Sequence, residues 1–597
     1  MRRTLGAIAV CIAAITTCIG PVARADAADW LTGWSTIADP RLSQPVYKRT
    51  VFERVPMVMD DGTKIDAHVI RPVVPAGTKV PVIMQASPYF ANVMQAAQIT
   101  PELQKLHYAE RGFALAGVAI RGSAGSEGCL DYEGERGRAD LNRIIDLLAA
   151  QPWSNGKVAA TGLSWDGTTA NAAAVTGNPH LATIVPAEGI VDWYKWSYMQ
   201  GVPSWVNGYT FTTTSPPAVS GALFGGTQFP LRLAQHVPER ACLGVAASLV
   251  ASAHSSTLGG RDAWWDERDL ARFTDGVNPQ LAVLQLTGYR DEGVRSDHYV
   301  DWDRALRERL PNYRILTGDW GHLWPDTPNI KAFRNDDLLF NPHPVTTWPV
   351  VLLRWYDHWL KNKPTGIDAM PRALLQDDDG RWHAENAYEP TAAAPMRLFP
   401  TAAGGLARNP AASVAQMAFL DSGLGVDPRG TCAYVAVGLL LGCAPVDPAT
   451  AKFFVGDAAR ETTRISGAPR AHLRLRHGAP IGHVGVTVYR IRGNKWTPLT
   501  YGIKTLNLPD DDYHYELRKP NAPFNVDVDL LPRDFVLRAG DRIGVAIGSQ
   551  VDRYPFGVEG NGYLPPVSGA ITTLLVGRDS WVEVDRMPGL GELAALR

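Results

Sequence analysis

Ser164 stands in Gly162-Leu163-Ser164-Trp165-Asp166-Gly167, between the apolar run Lys157 to Gly162 and the Ala-rich segment Thr168 to Val175. A serine hydroxyl is a weak nucleophile until a base takes its proton. A tight strand-to-helix turn that presents such a hydroxyl needs small flanking residues. The frame departs from the common Gly-x-Ser-x-Gly, because Asp166 holds the place of the second glycine. Taken alone it is a weak motif. Its weight comes from two later residues, each placed just past an apolar run. Asp291 follows Leu284-Gln285-Leu286-Thr287-Gly288-Tyr289-Arg290, and His322 follows Ile315-Leu316-Thr317-Gly318-Asp319-Trp320-Gly321. Nucleophile, acid and base thus arrive in an order compatible with a triad carried on the ends of successive strands. The chemistry is acyl transfer, with His322 as base and Asp291 fixing its tautomer.

An oxyanion needs preorganised donors. The Trp165 amide, next to the nucleophile, is one candidate. Tyr89, in Ala86-Ser87-Pro88-Tyr89, offers a phenolic hydroxyl and is equally readable as a packed aromatic. His298 lies too close to Asp291 and falls on the helix that follows. His358, in Trp355-Tyr356-Asp357-His358-Trp359, reads as a helix-core or interface histidine, and Asp297, Glu292 and Asp319 read as surface or capping residues. The stretch Arg121-Gly122-Ser123-Ala124-Gly125-Ser126-Glu127-Gly128 lacks Gly-Lys-Ser/Thr and opens no helix, so it reads as a structural loop. No Cys-x-x-Cys or His-x-x-x-His spacing suggests a metal. Neither a metal nor an organic cofactor is expected.

These residues need a scaffold of strand ends. Val55 to Arg71 reads as a hairpin turning at Asp60-Asp61-Gly62, and Lys79 to Gln85, Phe113 to Ile120 and Leu181 to Pro186 read as buried strands. Ala282 to Thr287 and Tyr313 to Thr317 repeat the pattern. Leu141, Ile144, Ile145 and Leu148 have helical spacing. Strands alternating with helices imply a mostly parallel sheet covered on both faces. The alternation stops between about Asp192 and Asp275, where Trp, Tyr, Pro, Ser and Gly dominate, and that segment reads as an inserted cap. From about Met396 the period becomes two. Val484, Val486 and Val488 alternate with small or polar residues, and Val526, Val528 and Leu530 alternate with Asp527 and Asp529, which implies an all-β sandwich, a jelly roll.

With 597 residues the chain holds more than one domain. The formal net charge of −2, without any basic stripe, excludes nucleic acid as an expected partner. Arg2, Arg3 and the apolar run Leu5 to Ile19 precede small residues at Ala23-Arg24-Ala25 or Ala25-Asp26-Ala27. That is the pattern of a cleaved signal peptide over 1–25, so a secreted protein is expected, without stable membrane insertion. A membrane anchor would need a longer run. The catalytic domain then spans 26–385, with the cap at about 190–275, and the β domain spans 396–597. Export would leave Cys129, Cys242, Cys432 and Cys443 in an oxidising compartment. Three pairings are possible. Proximity in sequence favours Cys432 with Cys443, leaving Cys129 with Cys242.

Taken together, the motifs resemble the Xaa-Pro dipeptidyl-peptidases and their relatives, the cocaine-esterase-like hydrolases and α-amino-acid ester hydrolases. The resemblance runs through Ser87-Pro88-Tyr89, Arg121-Gly122-Ser123 to Ser126-Glu127-Gly128, and Gln151-Pro152-Trp153-Ser154-Asn155-Gly156-Lys157-Val158. It continues through Gly162 to Gly167, Asp291, Gly321-His322 and Ile465-Ser466-Gly467. It implies an α/β-hydrolase domain, a mostly helical cap and a C-terminal jelly roll. It also implies Ser164 as nucleophile, Asp291 as acid, His322 as base, and Tyr89 beside the Trp165 amide as the oxyanion hole. This chain departs from the family in having Trp165 where Tyr is usual and Ala119 where Asp often stands. Gly293 and Val294 stand where amino-ester hydrolases carry a Glu-Asp pair.

A peptidase of that kind takes a free α-ammonium and a proline ring. Asp192, Glu188 and Glu292 are candidate ammonium anchors, each with a structural ion pair as the plain alternative. Trp193, with Tyr194, Trp196 and Tyr198, could wall the proline pocket or simply fill the cap core. The expected substrate is a peptide, or on the same residues a small ester or amide. A non-catalytic carbohydrate- or partner-binding role is opposed by the intact Ser164, Asp291 and His322 set.

Overall fold

The computed structural model describes residues 36–90, 106–203, 260–328, 340–421, 449–551 and 568–588, with the backbone of 433–434 and 443–444. The expected signal segment and the middle of the cap lie outside these residues. So do Cys242, Cys432 and the side chain of Cys443, and with them the expected cysteine pairing.

The catalytic domain is built on ten strands. They are β1 (Thr50–Arg54), β2 (Ala67–Pro72), β3 (Val80–Ser87), β4 (Ala114–Ala119), β5 (Ser154–Leu163), β6 (Leu181–Ala187), β7 (Ala282–Gly288), β8 (Tyr313–Gly318), β9 (Ala373–Gln376) and β10 (Trp382–Glu385). Their spatial order is β1-β2-β4-β3-β5-β6-β7-β8-β9-β10. From β4 to β9 the pairings are parallel, and the antiparallel pairings sit at the two edges. Strands β3, β4 and β7 are buried along their whole length, as a sheet covered on both faces requires. Helix α1 (Glu135–Ala149) turns Leu141, Ile144, Ile145 and Leu148 onto one face. α2 (Trp165–Ala174) follows β5 directly and is buried throughout. Its run of alanines lets the helix approach the sheet closely. The described part of the cap holds the short helix α3 (Trp193–Ser197), then α4 (His298–Arg309) and α5 (Trp348–Lys361) continue the catalytic domain.

The expected hairpin differs in extent. The Asp60-Asp61-Gly62 turn joins only Met57–Val58 to Lys64–Ile65, and the longer pairing runs from β1 to β2. The Arg121 loop is structural, as expected. Arg121 is hydrogen-bonded to both oxygens of Asp140 on α1, at 2.6 and 2.8 Å.

The C-terminal domain is a β-sandwich. One sheet runs through Ala415–Leu420, Ile571–Val576, Arg470–His477, Trp581–Arg586 and Ala394–Pro400. The other runs through Gly405–Ala407, Ala451–Gly456, Arg542–Gly548, His483–Arg492 and Lys495–Thr505. Val484, Val486, Val488, Val526 and Val528 share one core with Leu473 and Val582, while Asp527 and Asp529 face solvent. Among the described residues, no helix is long and apolar enough to cross a membrane.

Candidate active site

Ser164 occupies the turn between β5 and α2 with φ 64° and ψ −129°. A non-glycine residue there is strained, and the surrounding packing must hold it. Three glycines allow that packing. A Cβ on Gly162 would lie 2.3 Å from the Asp166 Cβ, and one on Gly167 would lie 2.4 Å from the Ala187 carbonyl oxygen. A Cβ on Gly189, past the next strand, would lie 2.4 Å from the Gly167 carbonyl carbon. The second elbow glycine therefore sits one place later than in Gly-x-Ser-x-Gly because it is the residue that touches β6. The place it vacates goes to Asp166, whose side chain turns inward to Gln85 Nε2 at 2.5 Å. Burial pushes the Asp166 carboxyl up to about 7, against the hydrogen bonds from Ser87 and Gln85.

Asp291 lies past the end of β7 and His322 past the end of β8. His322 Nδ1 is 2.8 Å from Asp291 Oδ2, while Asp291 Oδ1 accepts the amides of Gly293 at 2.6 Å and Val294 at 2.9 Å. Asp291 is buried. The His322 side chain is 16% exposed and Ser164 is part-exposed, and Ser164, Asp291 and His322 all follow the C-terminal ends of parallel strands. With Nδ1 committed, Nε2 is the ring nitrogen available for proton transfer.

Tyr89 reaches this site from the end of β3. Its hydroxyl lies within hydrogen-bonding reach of the Ser164 side chain and the Trp165 amide. The residue is half exposed, yet its hydroxyl is desolvated. Burial and the neighbouring Asp166 carboxyl hold the phenol protonated, well above its usual range. A neutral O–H and an N–H thus converge beside the serine oxygen, which is the composition of an oxyanion hole.

A wall of buried aromatic rings adjoins Ser164. Trp165 packs on Trp193 with ring centroids 4.8 Å apart, and Tyr132 lies 5.4 Å from Trp165 and 5.1 Å from Trp193. Trp196 extends the wall and donates its indole N–H to the Gly293 carbonyl at 2.8 Å. Glu133 holds the wall from behind, accepting from Trp165 Nε1 at 2.8 Å and Trp193 Nε1 at 3.1 Å. Burial pushes its carboxyl up to about 8. Tyr132 and Glu133 are successive non-glycine residues with positive φ, 54° and 53°. Sequence reading missed both, since nothing in Asp131-Tyr132-Glu133-Gly134 marks them except the turn-forming glycine.

The three carboxylates expected to anchor an ammonium are placed otherwise. Asp192 caps α3 through the amides of Tyr194 and Lys195 and pairs with Arg261 at 2.7 Å. Glu188 is fully buried behind Asp291 and receives the Trp320 indole N–H at 3.0 Å. Glu292 is buried and accepts the Tyr501 hydroxyl at 2.5 Å, across the boundary to the β domain. The surface readings of Glu292 and Asp319 are also corrected. Asp319 is buried between Arg290, at 2.7 Å, and Arg533. His298 begins α4, as expected, but His358 sits near the end of α5 with its ring toward the Lys363 carbonyl rather than in the core.

The X-Pro dipeptidyl-peptidase (S15 family) model matches residues 61–324, and the model for the C-terminal non-catalytic domain of X-Pro dipeptidyl-peptidases matches 365–557. A Streptomyces avermitilis protein assigned as an Xaa-Pro dipeptidyl-peptidase is 27% identical over 434 residues, 65% of this chain and 58% of that protein. A similarly assigned Bacillus anthracis protein is 24% identical over 522 residues, 82% of this chain and 80% of its own length. Among solved structures, a Staphylococcus aureus CocE/NonD family hydrolase has the same fold. It aligns with a TM-score of 0.69 and 15% identity, over 90% of this chain and 94% of that one. The catalytic and the C-terminal X-Pro dipeptidyl-peptidase models thus match this chain in order, and the chain is a serine hydrolase of the α/β-hydrolase fold.

Proposed function

We propose that the protein is a secreted Xaa-Pro dipeptidyl-peptidase that works through an acyl-enzyme on Ser164. His322 takes the Ser164 proton as the hydroxyl attacks the carbonyl after proline. Asp291 holds the imidazole by Nδ1 and stabilises the imidazolium. The Tyr89 hydroxyl and the Trp165 amide receive the developing oxyanion. His322 then protonates the leaving amine, and water releases the dipeptide by the same steps in reverse order.

The observation that carries the peptidase reading is the match, in order along the chain, to the catalytic and the C-terminal X-Pro dipeptidyl-peptidase models. Trp165 supplies an oxyanion amide from its backbone, while its indole packs with Trp193, Tyr132 and Trp196 in a buried cluster, so these aromatics fill the cap core. The relatives assigned as Xaa-Pro dipeptidyl-peptidases support the same substrate class.

The same residues also serve ester hydrolysis, so the test compares substrates. An Ala-Pro anilide, its N-acetylated form and a simple aryl ester are offered to the purified enzyme and to Ser164→Ala. The first is expected to be cleaved and the second to be spared, with Ser164→Ala inactive on both. Turnover of the ester alone would replace the peptidase reading with an esterase. Retained turnover in Ser164→Ala would remove Ser164 as nucleophile. Export is tested by the N-terminus of the protein recovered from culture medium, which should begin after Ala25 or Ala27.

A further inference from the structure

Glu188 directly follows β6 with φ 48°, one residue before the glycine that packs on the elbow, and its side chain is fully buried. Trp320 fixes one of its oxygens. The position of Trp320 is itself forced by two strand-end glycines: a Cβ on Gly288 would lie 2.1 Å from the Trp320 carbonyl oxygen, and one on Gly318 would lie 2.0 Å from its ring. Held there, the indole N–H donates to Glu188 Oε1 at 3.0 Å. Glu188 Oε2 is buried and has no donor among the described residues. The carboxyl of Asp291 lies beside Glu188, within hydrogen-bonding reach of its carboxyl.

Two carboxylates cannot share a dry site without a proton between them. The donors decide where that proton sits. Asp291 is already engaged by the amides of Gly293 and Val294 and by the imidazole of His322, whereas Glu188 keeps a buried oxygen without a donor among the described residues. Glu188 has the Trp320 indole and a contribution from the Gly288 amide; burial and then the Asp291 charge outweigh them and drive its carboxyl far above the usual range. The other titratable groups nearby point elsewhere. Tyr299 on α4 donates to the Gly189 carbonyl at 2.8 Å, and Tyr388 donates to the Ser296 carbonyl at 3.1 Å.

We infer that Glu188 is a neutral carboxylic acid that donates its O–H to Asp291, making it a positioning residue for the Asp291–His322 pair. The proton stays on Glu188 throughout turnover. Its hydrogen bond orients the Asp291 carboxylate and tempers the charge that His322 feels. Glu188 is then not an ammonium anchor, since that role needs an ionised group open to substrate. The inference rests on the proposed roles of Ser164, Asp291 and His322.

Glutamine reproduces a protonated glutamate here, with an N–H for Asp291 and a carbonyl for the Trp320 indole. Glu188→Gln is therefore expected to keep kcat and KM within about threefold of the parent. Glu188→Ala is expected to lower kcat ~10- to 100-fold at unchanged KM, the size of one lost hydrogen bond to a charged group. It should also move the acid limb of the kcat/KM profile to higher pH, because an untempered Asp291 favours the imidazolium. Infrared difference spectra of the parent against Glu188→Gln at neutral pH should show a protonated-carboxyl band lost in the variant. Absence of that band, or a Glu188→Gln variant as slow as Glu188→Ala, would overturn the inference. So would a raised KM for free-amine substrates in Glu188→Gln. If Glu188→Ala fails to fold, the Gln variant and the spectrum decide alone. Ser164→Ala runs beside them, and its retained activity would indict the nucleophile rather than Glu188.

Discussion

Arg533, from the β-sandwich, is ion-paired with Asp319, which lies three residues before His322. Both side chains are almost fully buried, and Arg290 shares the same carboxylate at 2.7 Å. The loop that carries His322 is thus clamped by a cation from another domain. The Tyr501–Glu292 hydrogen bond does the same for the loop that carries Asp291. The β domain braces both loops from outside. Arg533→Ala leaves Asp319 buried with half its partners, which typically costs about 3–5 kcal/mol. The expected result is a lower unfolding midpoint in urea together with a lower kcat. Normal stability and normal kcat in that variant would show that the clamp is incidental.

Tyr89→Phe removes the hydroxyl that meets the Ser164 side chain and the Trp165 amide, and leaves the ring edge-on to Trp165 at 6.3 Å. Loss of one oxyanion donor typically lowers kcat ~10²- to 10³-fold. The ground-state carbonyl gains little from this donor, so KM should change far less. A Tyr89→Phe enzyme with parental kcat would return Tyr89 to the role of a packed aromatic.

Gly167→Ala tests the elbow. The added Cβ would meet the Ala187 carbonyl oxygen at 2.4 Å, and a backbone atom in a central strand cannot swing aside. The cost should be at least about 3 kcal/mol, the upper part of the range for overpacking. Gly137→Ala on α1 is the matched control. There the new Cβ meets only Asp131 at 3.7 Å, an ordinary contact, so a gain of about 1 kcal/mol from helix propensity is expected. Thermal melts of the two variants should move in opposite directions.

The sheet was legible because its central strands are short apolar runs, three of them closed by Ser87, Gly288 and Gly318, and the two-residue period exposed the β-sandwich. The Asp291–His322 pairing was legible because strand ends in a parallel sheet converge on one edge. What stayed hidden depends on three-dimensional closure. Asp319 and Glu292 read as surface residues because their partners, Arg533 and Tyr501, are about 200 residues away in sequence. Glu188 read as an open carboxylate because its burial depends on Trp320 folding back between two glycines. Glu133 carried no spacing signal, since its partners are indoles contributed by α2 and α3.

Glu133 gives the pH test. Its carboxyl is pushed from the ordinary 4.5 up to about 8 in the fold, chiefly by burial and despite the two indole donors. Between those values the folded state keeps a proton that the unfolded chain has released. The folded state is therefore disfavoured progressively as pH rises from 4.5 to about 8, and no further above that. One such group contributes a slope of at most about 1.4 kcal/mol per pH unit. Glu133→Gln carries no titrating proton, so its unfolding free energy should fall less steeply across this window, whatever constant offset the amide introduces against the two indoles. Urea unfolding of both proteins at a series of pH values between 5 and 9 reads the two slopes directly. Parallel slopes would mean that Glu133 ionises normally, and that the wall formed by Trp165 and Trp193 is held by a charge rather than by a neutral acid.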